Sequence, residues 1–186
     1  MMTEAKLLII HQGALGDVVL TFPATIALGQ KFDRIDILCQ GQIGKLAAKL
    51  GLVDKAYPLE AAYFATLFSD QVDAKINDFI SSFTKIIVFA FSAELESSIN
   101  QISDRPCLRI PSRPPARNRI HVSEFILQHL RQEGLIESTA AGNTVSSWHR
   151  QQAPRRAGSI DSSRIIIHPG AGSKRKRWPL DRFLKL

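Results

Sequence analysis

Asp17 closes the stretch Leu7-Leu-Ile-Ile-His11, Gln12-Gly-Ala-Leu-Gly-Asp17, in which an apolar run meets a glycine-punctuated turn. A carboxylate beyond the carboxyl end of a buried parallel strand stands where open α/β sheets bind ligands, and there it can serve as a general base. The same carboxylate can instead complement a helix N-terminus. Gly13 and Gly16 serve either a tight turn or the close approach of a substrate to the backbone. Further along, Arg105, Arg109, Arg113, Arg117 and Arg119 fall within residues 105–120, which contain no acidic residue. Guanidinium groups pair bidentately with carboxylate and phosphate, so this stretch is a solvated basic loop or a clamp for an anionic substrate. It also fits a sequence-independent nucleic-acid surface, but it contains no aromatic residue on which bases would stack. The third candidate is His168-Pro-Gly-Ala-Gly-Ser-Lys-Arg-Lys-Arg-Trp-Pro179, where a small-residue turn after an apolar run precedes four consecutive cations. Exposed turn amides, a helix N-terminus and Lys/Arg side chains together suit a diphosphate.

Other chemistries find little support. The sequence has no G-x-G-x-x-G dinucleotide fingerprint, no Walker A motif and no Ser or Cys nucleophile elbow. No His, Asp or Glu spacing suggests a metal, and Cys39 and Cys107 read as buried reduced thiols of a cytoplasmic protein. His11, at the end of the first apolar run, reads as a hydrogen-bonded structural histidine, and His121 as a helix cap. The 186 residues are 45% hydrophobic and 22% charged, with a net charge of +7, a balance that favours anionic partners without choosing among them. No apolar run is long enough to span a bilayer, and no secretory leader is expected.

The elements that must position these residues alternate. Continuous apolar runs at 6–11, 34–39 and 85–91 read as strands covered on both faces, with shorter strands at 55–59 and 106–110. Helices are expected over 18–28, kinked or restarted at Pro23, over 43–50, in part of 61–83, and over 93–102 and 121–133. This alternation implies a doubly wound parallel α/β sheet, a Rossmann-like domain over residues 1–137. Residues 138–163 read as a polar interdomain connection, with a short strand at 144–147. Residues 164–186 read as the strand, turn and first helix of a second, truncated domain.

Gly13-Ala-Leu-Gly-Asp-Val-Val-Leu-Thr-Phe-Pro-Ala24, the helix from His121, and the 168–179 segment together resemble glycosyltransferase family nine, the ADP-heptose:lipopolysaccharide heptosyltransferases. The resemblance covers the whole chain. It implies a GT-B architecture, an acceptor-binding N-terminal half and a nucleotide-sugar-binding C-terminal half. It places the family's catalytic aspartate on Asp17 and the lysine that contacts the donor diphosphate on Lys176. Gly170, Ala171, Gly172 and Ser173 match the small residues around that diphosphate, with Lys174 and Arg177 as companions. Gly13, Gly16, Arg109, Arg113, Arg117 and Arg119 are then expected on the acceptor side. The implied reaction inverts configuration and uses a nucleotide sugar, ADP-heptose, with no cofactor and no metal held by the protein. The implied acceptor is the anionic lipopolysaccharide core, which brings an expectation of peripheral contact at the inner membrane face and of no nucleic-acid partner. The family's ribose-binding acidic residue and nucleotide loop would fall beyond Leu186, so these residues alone are expected to be inactive. Two other readings stand beside this one: a non-catalytic binding module for an anionic glycolipid or nucleic acid, and a related transferase with another donor.

Overall fold

The computed structural model describes residues 4–68, 73–90, 92–105, 107–137, 177 and 179–183. The chain divides into two compact units, Met1–Ala153 and Pro154–Leu186. The expected connection at 138–163, the short strand at 144–147 and the strand at 164–168 lie outside the described residues.

Among the described residues, five strands build the first unit: β1 (Lys6–His11), β2 (Arg34–Cys39), β3 (Lys55–Pro58), β4 (Lys85–Phe89) and β5 (Leu108–Ile110). All pair in parallel, in the order β3-β2-β1-β4-β5. Ile9 lies between Ile37 and Ile87 in this register. The apolar run of β1 is continuous because both its faces are covered. Leu7 and Ile9 point into one core with Ile35, Ile37, Ile87 and Phe89. Leu8 and Ile10 point into the other with Leu38, Ile86 and Val88.

Helices α1 (Leu15–Val19), α2 (Phe22–Leu28), α3 (Gly41–Lys49) and α6 (Val122–Gln132) supply side chains to the first core. A 3-10 helix (Ala62–Phe68), α4 (Ala74–Ser81) and α5 (Glu94–Ile102) cover the second. In the second unit the described element is α7 (Leu180–Phe183). Gly51 (φ 65°) and Gly134 (φ 63°) take the left-handed conformation just past α3 and α6, where a side chain would be strained.

The helix expected over 18–28 is two helices. Pro23 sits in the first turn of α2, where a missing N–H costs least. The break is buried yet satisfied: Thr21 Oγ1 donates to Val18 O at 2.7 Å and Thr25 Oγ1 to Thr21 O at 3.2 Å. Ser123 Oγ, at the start of α6, donates to Leu20 O at 2.8 Å. The opening of α6 is thereby tied to the end of α1, the short helix that carries Asp17.

One carboxylate lies inside the sheet. Asp36 on β2 is fully buried; it accepts from Arg34 Nε (2.9 Å) and Nη2 (2.8 Å) and from the Tyr57 hydroxyl (3.2 Å). That pairing raises the Arg34 pKa further, and burial beside Asp36 raises that of Tyr57. The cluster keeps a charge in the core by pairing it. Cys39 and Cys107 are free and buried, and burial pushes their thiols up to about 11 and about 12, far from nucleophilic use at neutral pH.

Candidate active site

The strand order reverses direction between β1 and β4, and the segments that leave their carboxyl ends frame the crevice where such sheets bind ligands. Asp17 stands there. Ala14 is the N-cap of α1 and Asp17 lies in its first turn, so the carboxylate sits where exposed helix amides favour negative charge. Its side chain is 17% exposed. Arg113, from the segment after β5, reaches it from 96 positions away in sequence. Arg113 Nη2 donates to Oδ1 at 2.9 Å and to Oδ2 at 3.2 Å, and Nε to Oδ1 at 3.1 Å. The guanidinium thus covers Oδ1 and leans on Oδ2, while remaining 58% exposed itself.

Behind Asp17 lies His11, fully buried at the end of β1. Its Nδ1 accepts from the Gly13 N–H at 2.9 Å, and its ring packs against Phe89 of β4 with centroids 5.5 Å apart. Among the described residues its buried Nε2 has no hydrogen-bond partner. Burial lowers the imidazole pKa to about 4, outweighing the opposing pull of Asp17. Gly13 is wedged between the two side chains. A Cβ there would stand 2.6 Å from His11 Cε1 and 2.8 Å from Asp17 Cβ, too close for any side chain. At Gly16, by contrast, a Cβ would meet nothing within 4 Å, so that backbone is open to an approaching ligand.

A cavity of about 530 Å³ opens beside this turn. It is lined by His11, Gln12, Gly13 and Ala14 after β1, by Gln40 after β2, and by Leu59 and Glu60 after β3. Glu60 caps the neighbouring helix: its carboxylate accepts from the Gly41 N–H at 2.9 and 3.2 Å. Backbone hydrogen bonds, its own and that of Gly41, hold its carboxyl below the ordinary range. Another cavity, of about 560 Å³, lies between the end of α2 and the segment after α6, lined in part by Lys31 and Gly134. Among the described residues, neither Asp17 nor any arginine of residues 105–120 lines either cavity; the one beside the turn is set apart by lying at the carboxyl ends of β1, β2 and β3.

The arginines of residues 105–120 separate. Arg109 belongs to β5 and donates from Nε to Glu96 at 2.8 Å. Arg113 is on Asp17, and Arg117 and Arg119 are exposed in the segment leading to α6. Of the expected donor-side residues Arg177 is described and exposed, in the second unit. Gly170, Ala171, Gly172, Ser173, Lys174 and Lys176 lie outside the described residues, as does Trp178. Among the described residues no cluster of three or more His, Cys, Asp or Glu side chains is placed to hold a metal ion. No described helix is long and apolar enough to cross a membrane.

His11 is the hydrogen-bonded structural histidine that the sequence suggested, but its partner Gly13, the Asp17–Arg113 pair and the contribution of Gln40 and Glu60 to the cavity were missed in the sequence. The first had a faint signal, a histidine two residues before a glycine at a strand end. The other two depend on strand order.

This five-stranded parallel sheet with helices on both faces is a Rossmann-like α/β fold, of the kind from which GT-B glycosyltransferases are built. Among solved structures, the chain is similar to a glycosyl transferase family 9 protein from Veillonella parvula, with a TM-score of 0.64, 16% identity, and coverage of 100% of this chain and 60% of the other. It is also similar to the E. coli heptosyltransferase WaaC, solved with ADP-2-deoxy-2-fluoro heptose (TM-score 0.63, 12% identity, 97% of this chain, 64% of the other). WaaC solved with ADP gives a TM-score of 0.59 at 13% identity, over 97% of this chain and 62% of the other. The chain therefore spans less than two thirds of the length of these relatives. No family model matches the sequence, and no curated protein matches it either.

Proposed function

We propose that the protein is an inverting glycosyltransferase that moves heptose from ADP-heptose to an anionic lipopolysaccharide inner-core acceptor. The observation that carries this reading is the position of Asp17. It is a partly exposed carboxylate at the carboxyl end of β1, beside the strand-order switch, in a fold shared with family 9 transferases. In the reaction Asp17 takes the proton of an acceptor hydroxyl as that oxygen bonds to the anomeric carbon, and the bond from that carbon to ADP breaks on the opposite face. Lys176, with Lys174 or Arg177 and the amides of Gly170–Ser173, would stabilise the charge that builds on the departing diphosphate.

Arg113 gives the site a way to sense its acceptor. It now holds the carboxylate oxygens that a substrate hydroxyl must approach. An acceptor carboxylate or phosphate offers the same guanidinium an equivalent partner. Moving Arg113 from Asp17 to the acceptor would uncover the base as the substrate arrives. Arg117 and Arg119, exposed on the same segment, extend the cationic surface along which such an acceptor would lie.

The test is ADP release from ADP-heptose by the complete protein, with and without a deacylated inner-core acceptor. Acceptor-dependent release is expected. Asp17→Asn should lower it about 100- to 10,000-fold while donor binding persists. Near-normal turnover by Asp17→Asn would remove that residue from the role. The exposed arginines also favour a second reading, a binding module without catalysis, which predicts acceptor binding and no ADP release from any nucleotide sugar.

A further inference from the structure

We propose that His11 is a positioning residue for Asp17, acting through Gly13. The proposal rests on the reading of Asp17 as a general base. The chain of contacts is continuous. Phe89 of β4 backs the imidazole, Nδ1 accepts the Gly13 N–H at 2.9 Å, and Gly13 fills the space between the imidazole and the Asp17 side chain. A shift of the ring is therefore passed to the backbone at Gly13 and on to Asp17 Cβ, because no slack separates them.

The hydrogen bond also fixes the chemical state of the ring. An N–H donor at Nδ1 requires that nitrogen to carry no proton, so neutral His11 holds its proton on Nε2, which is buried and, among the described residues, unpartnered. An orphaned polar group in a core calls for an explanation. An apolar residue would fill the same space without it, but would offer no acceptor to Gly13. The fold tolerates one unsatisfied nitrogen to keep the other aimed at the turn before the catalytic helix.

Two substitutions separate positioning from packing. His11→Phe keeps a ring against Phe89 and removes the acceptor. His11→Asn keeps an acceptor near the place of Nδ1 and removes most of the ring. In the complete protein, His11→Phe should lower kcat on the order of 10- to 100-fold with the donor KM unchanged. Its thermal midpoint should stay near that of the parent, and His11→Asn should recover most of kcat despite poorer packing. Wild-type kcat in His11→Phe, or losses that follow stability in both variants, would overturn the proposal.

A readout independent of turnover covers the cases in which a variant does not fold or the wild type transfers no heptose. Nitrogen-15 spectra of the histidines in the wild-type protein at neutral pH should show His11 protonated at Nε2 and bare at Nδ1. The opposite tautomer would break the link to Gly13 and end the proposal. Absence of ADP release by the wild type would instead count against the transferase reading and leave the tautomer result standing.

Discussion

Asp17 is held by three hydrogen bonds from one guanidinium and backed by a glycine that a buried histidine anchors. The two supports differ in energetic character. An ion pair with a 58% exposed arginine contributes little to stability, about 1 kcal/mol at most. His11 is sealed, and its protonation state is coupled to folding. Its folded pKa of about 4 lies below the ordinary 6.5, so between these values the unfolded chain holds the extra proton. The contribution to stability is therefore complete above pH 6.5 and is lost as the pH falls towards 4. That window is worth about 3 kcal/mol from this one group. Urea unfolding at pH 7 and pH 4.5 should show His11→Phe losing less stability on acidification than the parent; equal losses would mean that the ring is not buried neutral.

Between strands and helices the close approaches decide what can change. Helix α3 packs so tightly on the sheet that a Cβ on Gly44 would stand 2.9 Å from the Ala56 Cβ of β3 and 3.4 Å from Cys39 Sγ of β2. Alanine at that position gains up to about 1 kcal/mol of helix propensity, but overpacking costs about 1–3 kcal/mol. Gly44→Ala should therefore destabilise the protein, and a rise in its thermal midpoint would show that α3 can move away from the sheet. The same reasoning explains the α1–α2 break. A continuous helix would carry Pro23 in its interior, at about 3 kcal/mol. The chain instead restarts the helix there; the Thr21 and Thr25 hydroxyls add to the backbone hydrogen bonds at Val18 O and Thr21 O, and the Ser123 hydroxyl reaches Leu20 O. The outcome is a short α1 whose first turn places Asp17 over the carboxyl end of the sheet.

As a whole, the first unit has what an independent domain needs. Both apolar clusters lie within residues 7–136, one on each face of the sheet. A protein ending at Ala153, where the first unit ends, should fold alone and unfold in one cooperative step by heat or urea. Under the proposed function it should also release no ADP from ADP-heptose, because the expected diphosphate contacts at 170–177 belong to the second unit. A molten chain would show that the second unit is needed for folding, and ADP release would place the donor site within the first. The net charge of +7 favours anionic partners at this scale.

Much of the fold was legible along the chain because buried parallel strands announce themselves as unbroken apolar runs and glycines mark where helices stop. Lys6–His11, Arg34–Cys39 and the run from Lys85 could be read this way, as could the helix from His121. Asp17 could be singled out because it follows such a strand directly, a local relation. Strand order, however, is set by which faces pack together, and no local signal encodes it. For that reason the tertiary structure alone decided that Arg113 meets Asp17 across 96 positions while Arg109 turns to Glu96. It decided likewise that Glu60 shares a cavity with His11. Short-range patterning determined the elements and the carboxylate at their mouth. Long-range packing chose that carboxylate's neighbours, because each of those contacts joins segments that only the closed sheet brings together.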